Sequence, residues 1–215
     1  RQPIDQGLLR RMADEPWDAI IVGQGLAGTT LAWCLLEAGQ RVLVVDAEPP
    51  VTSSKIAAGL ITPITGQRLT HSWRCDEFLP VAQRFYARIE QRTRQTFFRG
   101  RTALRLFQSE DERALWALRR SRPEFQPYLV TPAPAPLLDP EIGDASGGGF
   151  EMRAAQLDVA AYLQASRAAF AYQTMQLDWA RDVTIGGPYV TVQGLRTRRL
   201  ISCEGYAASR NPYFW

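Results

Sequence analysis

The sequence predicts an α/β protein whose parallel sheet is interrupted by a long inserted segment. Two apolar runs near the start, residues 19–22 and 41–45, are separated by a glycine-rich turn and a helical stretch that reaches Glu37. Apolar runs that alternate with a helical pattern are typical of parallel strands joined by a crossover helix. A further group of strand-like runs, within residues 179–203, follows only after a long segment of mixed character. We therefore expect a doubly wound sheet that receives strands from both ends of the chain.

The glycine-rich turn reads GQGLAG and spans residues 23–28. Glycines at its first, third and sixth positions allow a tight turn, a close approach of the backbone to a pyrophosphate, and close packing of the helix on the strand. Asp46 ends the second apolar run at about the distance, roughly 20 residues, expected of the acid that binds an adenosine ribose. The pattern predicts a dinucleotide site. We assign to it Val22, Gly23, Gly25, Leu26, Ala27, Gly28, Asp46 and Ala47.

Composition narrows the class of protein. The chain has 215 residues, of which 46% are hydrophobic and 22% charged, with a net charge of +3. This is typical of a globular protein with a core, and we predict no nucleic-acid partner. The densest basic cluster, Arg196, Arg198 and Arg199, is interpreted as a solvated face. No apolar stretch reaches the roughly 18 residues needed to span a bilayer, and the start lacks a signal-peptide pattern.

The three cysteines, Cys34, Cys75 and Cys203, are too few and too scattered for a disulfide framework or a metal site. Cys34 and Cys203 are interpreted as small buried groups. A reducing, cytoplasmic setting fits this usage. Met12 is a plausible native start, so residues 1–16 are treated as an extension, and the aromatic end of the chain suggests an N-terminal portion of a longer protein.

A loop of small and then apolar residues, SSKIAAGLITP, spans residues 53–63. Together with the glycine turn and Asp46, this loop resembles the FAD-dependent amine and amino-acid oxidoreductases, the D-amino-acid oxidase and glycine oxidase family. The resemblance implies an FAD cofactor and places Ser53, Ser54, Ala58, Gly59 and Leu60 along it. The alternative is a small-residue loop that packs on the sheet without a ligand.

The resemblance also implies a domain organisation: a Rossmann-like FAD-binding domain with part of an α+β substrate domain inserted. The first part of the FAD-binding domain would cover residues 17–75, the partial substrate domain residues 76–155, and the second part of the FAD-binding domain residues 156–215. That second part would be truncated at its end.

The inserted segment has its own elements. Apolar spacing predicts a helix over residues 76–94, and residues 102–107 favour a strand. Ser109 opens a capping box for a helix through Arg120, with Leu115 and Leu118 directed inward. Phe78, Phe85 and Trp116 are interpreted as core. Six prolines over residues 123–140 predict an irregular loop before a short strand at residues 150–152.

The last part of the chain predicts a helix over residues 157–170 and strands over 179–185, 189–192 and 200–203. By resemblance, Cys203, Glu204 and Gly205 form a second fingerprint near the cofactor. Val183, at the end of its strand, would hold the adenine through its backbone. An ordinary β-meander is the alternative.

No convincing acid/base pair or nucleophile is present, so no catalytic residue is assigned. His71, the sole histidine, is interpreted as a surface or capping residue rather than a base or a flavin attachment point. The resemblance implies hydride removal from a carbon beside an amine, with flavin reoxidation by oxygen or another acceptor. The substrate would be a small amine or amino acid; its identity, the acceptor and the oligomeric state are not assigned. The alternatives are another flavoprotein dehydrogenase or RNA-modifying flavoenzyme, an NAD-dependent dehydrogenase, or an inactive truncated remnant.

Overall fold

A computed structural model describes residues 15–130 and 148–214 of the chain. They form two compact units. Unit 1 takes the chain up to Ala57 and again from Val159, and unit 2, residues 58–158, is inserted between these parts. Met12 with most of its extension, and the greater part of the proline-rich segment, lie outside the described residues. The predicted domain boundaries stay a prediction.

Unit 1 is built on a parallel sheet of four strands in the order β12-β1-β2-β8. Its strands are β1 (Ala19–Val22), β2 (Val42–Asp46), β8 (Ala171–Thr174) and β12 (Leu200–Ser202). In register, Ile20 lies between Leu43 and Leu200. The central strands are buried on both faces, which explains their unbroken apolar sequence. A three-stranded antiparallel sheet completes the unit: β9 (Val183–Gly186), β10 (Tyr189–Val192) and β11 (Leu195–Thr197).

The helices of unit 1 are α1 (Leu26–Glu37), α2 (Ser53–Ile56), α5 (Val159–Arg167) and α6 (Trp179–Asp182). The predicted first helix is confirmed, and it ends where Gly39 adopts a φ of +76°. A core cluster joins the two sheets; its buried members are Trp17, Ile20, Val22, Leu43, Val45, Met175, Val183 and Val192.

The described residues of unit 2 form a three-stranded antiparallel sheet, a short hairpin, two α-helices and a 3₁₀ turn, Gln126–Tyr128. The sheet has the order β3-β7-β6, and β4 pairs with β5 in the hairpin. The elements are β3 (Leu60–Ile61), β4 (Ile64–Thr65), β5 (Thr70–His71), α3 (Cys75–Thr93), β6 (Phe98–Leu106), α4 (Glu110–Arg119) and β7 (Gly149–Leu157). The predicted Ser109 cap is confirmed, because its hydroxyl accepts a hydrogen bond from the Glu112 amide at 3.1 Å, while the Glu112 carboxylate accepts from the Gln108 amide at 2.6 Å.

Several predicted elements differ from the structure. Residues 179–182 form a helical turn instead of a strand, because the Asp178 carboxylate accepts from the amides of Ala180 and Arg181 at 3.1 and 3.2 Å. Leu157 belongs to β7, where it pairs with Phe98, so the following helix starts at Val159. The strands predicted over residues 102–107 and 150–152 are each longer, because they pair with one another over nine residues.

Three side chains predicted to be buried are exposed. Leu118 is 74% exposed and Phe78 is 47% exposed. Cys34 also lies on an exposed part of α1. Each of the three lies within a helix, on the side that is open to solvent. Within residues 15–130 and 148–214, no helix is long and apolar enough to cross a membrane.

Candidate cofactor site

The glycine turn joins β1 to α1 at the carboxyl edge of the parallel sheet, where doubly wound folds bind ligands. Gly23 has a φ of +105°, which side chains disfavour. A Cβ on Gly28 would lie 2.0 Å from the Gly23 carbonyl oxygen, so α1 can approach β1 only with glycine there. The first amides of α1 have no acceptor within the helix, and that of Leu26 donates to Ser54 Oγ at 3.0 Å. The Ser54 hydroxyl therefore supplies an oxygen acceptor at the start of α1.

Asp46 ends the neighbouring strand β2, and backbone groups fix both of its carboxylate oxygens. Oδ2 accepts from the Gln24 amide at 2.6 Å, and Oδ1 accepts from the Glu48 amide at 2.5 Å. Each carboxylate oxygen has a further lone pair, which leaves acceptor capacity for the hydroxyls of a ribose. The structure therefore brings together the glycine turn and the acid that the sequence predicted as its partner.

A cavity of about 350 Å³ lies at this edge of unit 1. Its volume falls within the range, about 300 to 1,000 Å³, of small-molecule sites. The lining residues are Gln24, Gly25, Asp46, Thr52, Lys55, Ala160, Leu163, Gln164 and Arg167. The sequence predicted Gly25 and Asp46 among them but not Gln24, Thr52 or Lys55. It also did not predict the residues of α5, because no local pattern relates that helix to the glycine turn. Lys55 and Arg167 line the cavity together with the Asp46 carboxylate, and Arg167 is paired with Glu48.

Glu48 lies just beyond Asp46 and binds α5 and β8. Its carboxylate accepts from the Tyr172 hydroxyl at 3.0 Å and lies 2.5 Å from Arg167 Nη1. The Tyr172 hydrogen bond, followed by the charge of Arg167, lowers the pKa of this carboxyl. Glu48 therefore stays ionised, and its charge is held beside the cavity.

The second predicted fingerprint lies beside the first. The Cys203 amide donates to the Val22 carbonyl oxygen at 2.7 Å, and a Cβ on Gly23 would lie 2.5 Å from the Cys203 carbonyl oxygen. Trp179 Nε1 and Ser202 Oγ both donate to Glu204 at 2.9 Å. Burial, and then the neighbouring Glu204 charge, raises the pKa of the Cys203 thiol. Gly205 follows in an exposed 3₁₀ turn with a φ of +57°.

Other predicted residues lie elsewhere. Ala58, Gly59 and Leu60 belong to unit 2, where Gly59 accepts a hydrogen bond from the Leu157 amide and Leu60 is 55% exposed. Val183 begins β9, where the prediction put the end of a strand, and its side chain is buried in the core cluster of unit 1. Only its backbone is thus available to a ligand. Ala27, Ala47 and Ser53 are exposed residues of unit 1.

His71, predicted as a surface or capping residue, is partly buried. Its side chain is 18% exposed, and Nε2 has no hydrogen-bond partner within the described part of the chain and lies 3.8 Å from Asp76 Oδ1. Tyr128 donates its hydroxyl to the same carboxylate oxygen. Burial, with this acceptor, raises the pKa of Tyr128 well above its ordinary value. The cluster lies in unit 2, and the described residues there and in unit 1 include no group of side chains suited to a metal ion.

The geometry of unit 1 fits the adenosine diphosphate half of a dinucleotide. A glycine turn with close backbone approach, a helix start and a strand-end carboxylate border one cavity. These groups are those that bind a pyrophosphate and a ribose in doubly wound folds. They bind and orient a ligand, and none of them is placed as a general acid or base.

Comparison with known proteins agrees with this geometry. The family model described as FAD dependent oxidoreductase (DAO) matches residues 18–211. An uncharacterized oxidoreductase of Bacillus subtilis (strain 168), YurR, is 39% identical over 54 residues, which are 25% of this chain and 14% of that protein.

Solved structures share the fold at low identity. Glycine oxidase from Geobacillus kaustophilus has a TM-score of 0.66 and 17% identity, over 91% of this chain and 57% of its own. L-Amino acid deaminase from Proteus vulgaris has a TM-score of 0.61 and 15% identity, over 90% of this chain and 48% of its own. Iminodiacetate oxidase from Chelativorans sp. BNC1 has a TM-score of 0.53 and 17% identity, over 89% and 56%. The chain therefore spans about half the length of these proteins.

Proposed function

Because this chain belongs to the family of FAD-dependent oxidoreductases, we propose that its protein oxidises a small amine or amino acid by hydride transfer to FAD. The observation that carries the proposal is the glycine turn bordering one cavity with Asp46. The names of the structural neighbours, among them a glycine oxidase and an amino acid deaminase, support an amine-bearing substrate. FAD, when bound, supplies the acceptor for the hydride, while the residues described bind and orient it.

We propose that the cofactor is held by the residues predicted from the sequence. The adenosine diphosphate half would contact Gly23, Gly25, Gly28, Asp46 and Ser54. The adjacent strand end, Cys203 to Gly205, would border it, and Ala58 to Leu60 would follow the flavin. The cytoplasmic location and the absence of a nucleic-acid partner stay predictions.

The first test is the visible absorption spectrum of the purified chain, recorded before and after addition of FAD and desalting. We expect flavin bands that co-elute with the protein. Asp46→Ala should lower the retained flavin about tenfold or more, because an acceptor for the ribose is lost. Asp111→Ala, an exposed carboxylate on α4 of unit 2, is the matched control and should retain flavin normally.

Two results would contradict this proposal. One is binding of NAD without uptake of FAD, which would favour an NAD-dependent dehydrogenase. The other would come from the full-length protein that contains this chain. Its bound flavin would be reduced, and so bleached, under anaerobic conditions by a substrate of another class but by no amine or amino acid. Release of the pigment on heating would separately decide whether the flavin is covalently attached.

A further inference from the structure

Four residues of unit 1 form a closed ring of polar contacts beside the cavity. The Asp46 carboxylate accepts from the backbone amides of Gln24 and Glu48. Oε1 of Gln24 accepts from Nε of Arg167 at 2.8 Å, and Nη1 of Arg167 lies 2.5 Å from Glu48. The contacts therefore run from Asp46 through Gln24, Arg167 and Glu48 and end again at Asp46. They connect the glycine turn, the end of β2 and helix α5.

Gln24 is the buried member of this ring. It is 6% exposed, and its Nε2 donates to the Leu163 carbonyl oxygen of α5 at 2.9 Å. Both ends of its amide are thus satisfied by one helix. A buried amide that loses a partner costs more than the hydrogen bond itself was worth, so Gln24 strongly favours a single position of α5.

Glu48 is held in an unfavourable conformation. Its φ is +53°, in the left-handed region that residues with a side chain rarely adopt. Tyr172 and Arg167 bind its carboxylate, and its amide binds Asp46. These contacts keep the Glu48 amide directed at the carboxylate that faces the cavity. Backbone in such conformations persists where its surroundings fix it, often at functional sites.

We infer that this ring positions the Asp46 carboxylate for the adenosine ribose of the cofactor, which makes Gln24 and Arg167 positioning residues for FAD. The inference rests on the proposed function, because FAD is the ligand for which Asp46 is positioned. Arg167 and Glu48 are 43% and 37% exposed, so solvent weakens their charge interaction. Solvent therefore screens the contact between Arg167 and the buried Gln24 less, and the ring is closed only when Arg167 makes both contacts.

The test measures the dissociation constant of FAD from quenching of flavin fluorescence, in the wild type, Gln24→Ala, Arg167→Ala and the double variant. Each single change should weaken FAD binding about tenfold, as expected for a lost hydrogen bond to a charged group. The double variant should lose little more than either single one, because both break the same ring. Independent, multiplying effects would overturn the inference.

Arg199→Ala is the matched control. Arg199 also donates to a glutamine amide, that of Gln40, but it precedes β12 at the opposite edge of the sheet. This variant should bind FAD as the wild type does. Arg167→Lys keeps the positive charge. Its single ammonium group cannot replace the planar guanidinium, which binds Gln24 and Glu48 through two separate nitrogens. It should bind FAD as poorly as Arg167→Ala, and restored affinity would show that charge alone matters and overturn the ring.

ADP serves as a second probe, because it carries the adenosine ribose without the flavin. Its affinity should fall by the same factor as that of FAD, and an unchanged ADP affinity would contradict the inference. If circular dichroism shows that Gln24→Ala does not fold, the test rests on Arg167→Ala and Arg167→Lys, because the Arg167 side chain is half-exposed. A wild type that binds no FAD contradicts the proposed function, whereas normal binding by folded variants contradicts the ring alone.

Discussion

At the scale of single residues, Cys203 occupies a position where backbone and side chains are crowded. A Cβ placed on Gly28 would lie 3.2 Å from the Cβ of Cys203, and one placed on Gly23 would lie 2.5 Å from the Cys203 carbonyl oxygen. Burial and the charge of Glu204 raise the pKa of the thiol. The thiolate is the reactive species, so a raised pKa lowers the reactive fraction at every pH below it.

We therefore expect Cys203 to react slowly with iodoacetamide. At about pH 8.5, the ordinary pKa of a cysteine, its alkylation should be at least about tenfold slower than that of the exposed Cys34. Mass spectrometry of peptides over time measures both rates in one sample. FAD should slow Cys203 further and leave Cys34 unaffected. Equal rates for the two thiols would show that the strand end is open.

Which site residues the sequence could predict depends on how far apart they lie along the chain. Gly23, Gly28 and Asp46 belong to one continuous strand–helix–strand unit, so their spacing alone indicates their proximity. Gln24 and Arg167 are brought together only by packing of α5 onto the glycine turn. A glutamine within the glycine motif and an arginine in a distant helix carry no local pattern that relates them.

At the scale of elements, the approach of α1 to β1 sets the geometry of the site. The contact depends on the missing side chain of Gly28, which faces the Gly23 carbonyl group. The strand pattern and the glycine spacing predicted this helix correctly. They did not predict the turn at residues 179–182, whose Asp178 cap outweighs the strand-like side chains that follow.

Gly28→Ala tests this contact. The added Cβ would lie 2.0 Å from a carbonyl oxygen, so the helix must shift, and the free energy of unfolding should fall by about 1 to 3 kcal/mol. Urea unfolding followed by circular dichroism measures the change. Gly186→Ala is the control in the same unit, because no atom lies within 4 Å of its Cβ position; it should change stability by less than about 0.5 kcal/mol. A wild-type stability for Gly28→Ala would contradict the close packing.

At the scale of the whole molecule, unit 2 is an insertion whose two ends are adjacent. The Leu157 amide donates to the Gly59 carbonyl oxygen at 2.9 Å, and Leu60 pairs with Gln156. Each unit also has a core cluster of its own. Such an insertion adds little loop-closure cost to the host, since its ends already meet.

We expect that replacement of residues 58–158 by a Gly/Ser linker of about six residues leaves unit 1 folded, since such a linker easily spans the short gap. The shortened chain should unfold cooperatively and bind ADP within about threefold of the intact chain, because the residues around the cavity all belong to unit 1. Isothermal titration with ADP and thermal unfolding measure this. Loss of cooperative unfolding would show that the host depends on its insertion.

The way the chain leaves the insertion has a consequence for the helix that lines the cavity of unit 1. Only Asp158 separates the last strand of unit 2 from Val159, the first residue of the helix that carries Leu163 and Arg167. Two peptide steps join Leu157 to Val159, so their Cα atoms lie at most about 7 Å apart. A displacement of the strand end beyond this reach must therefore move the start of the helix that lines the cavity.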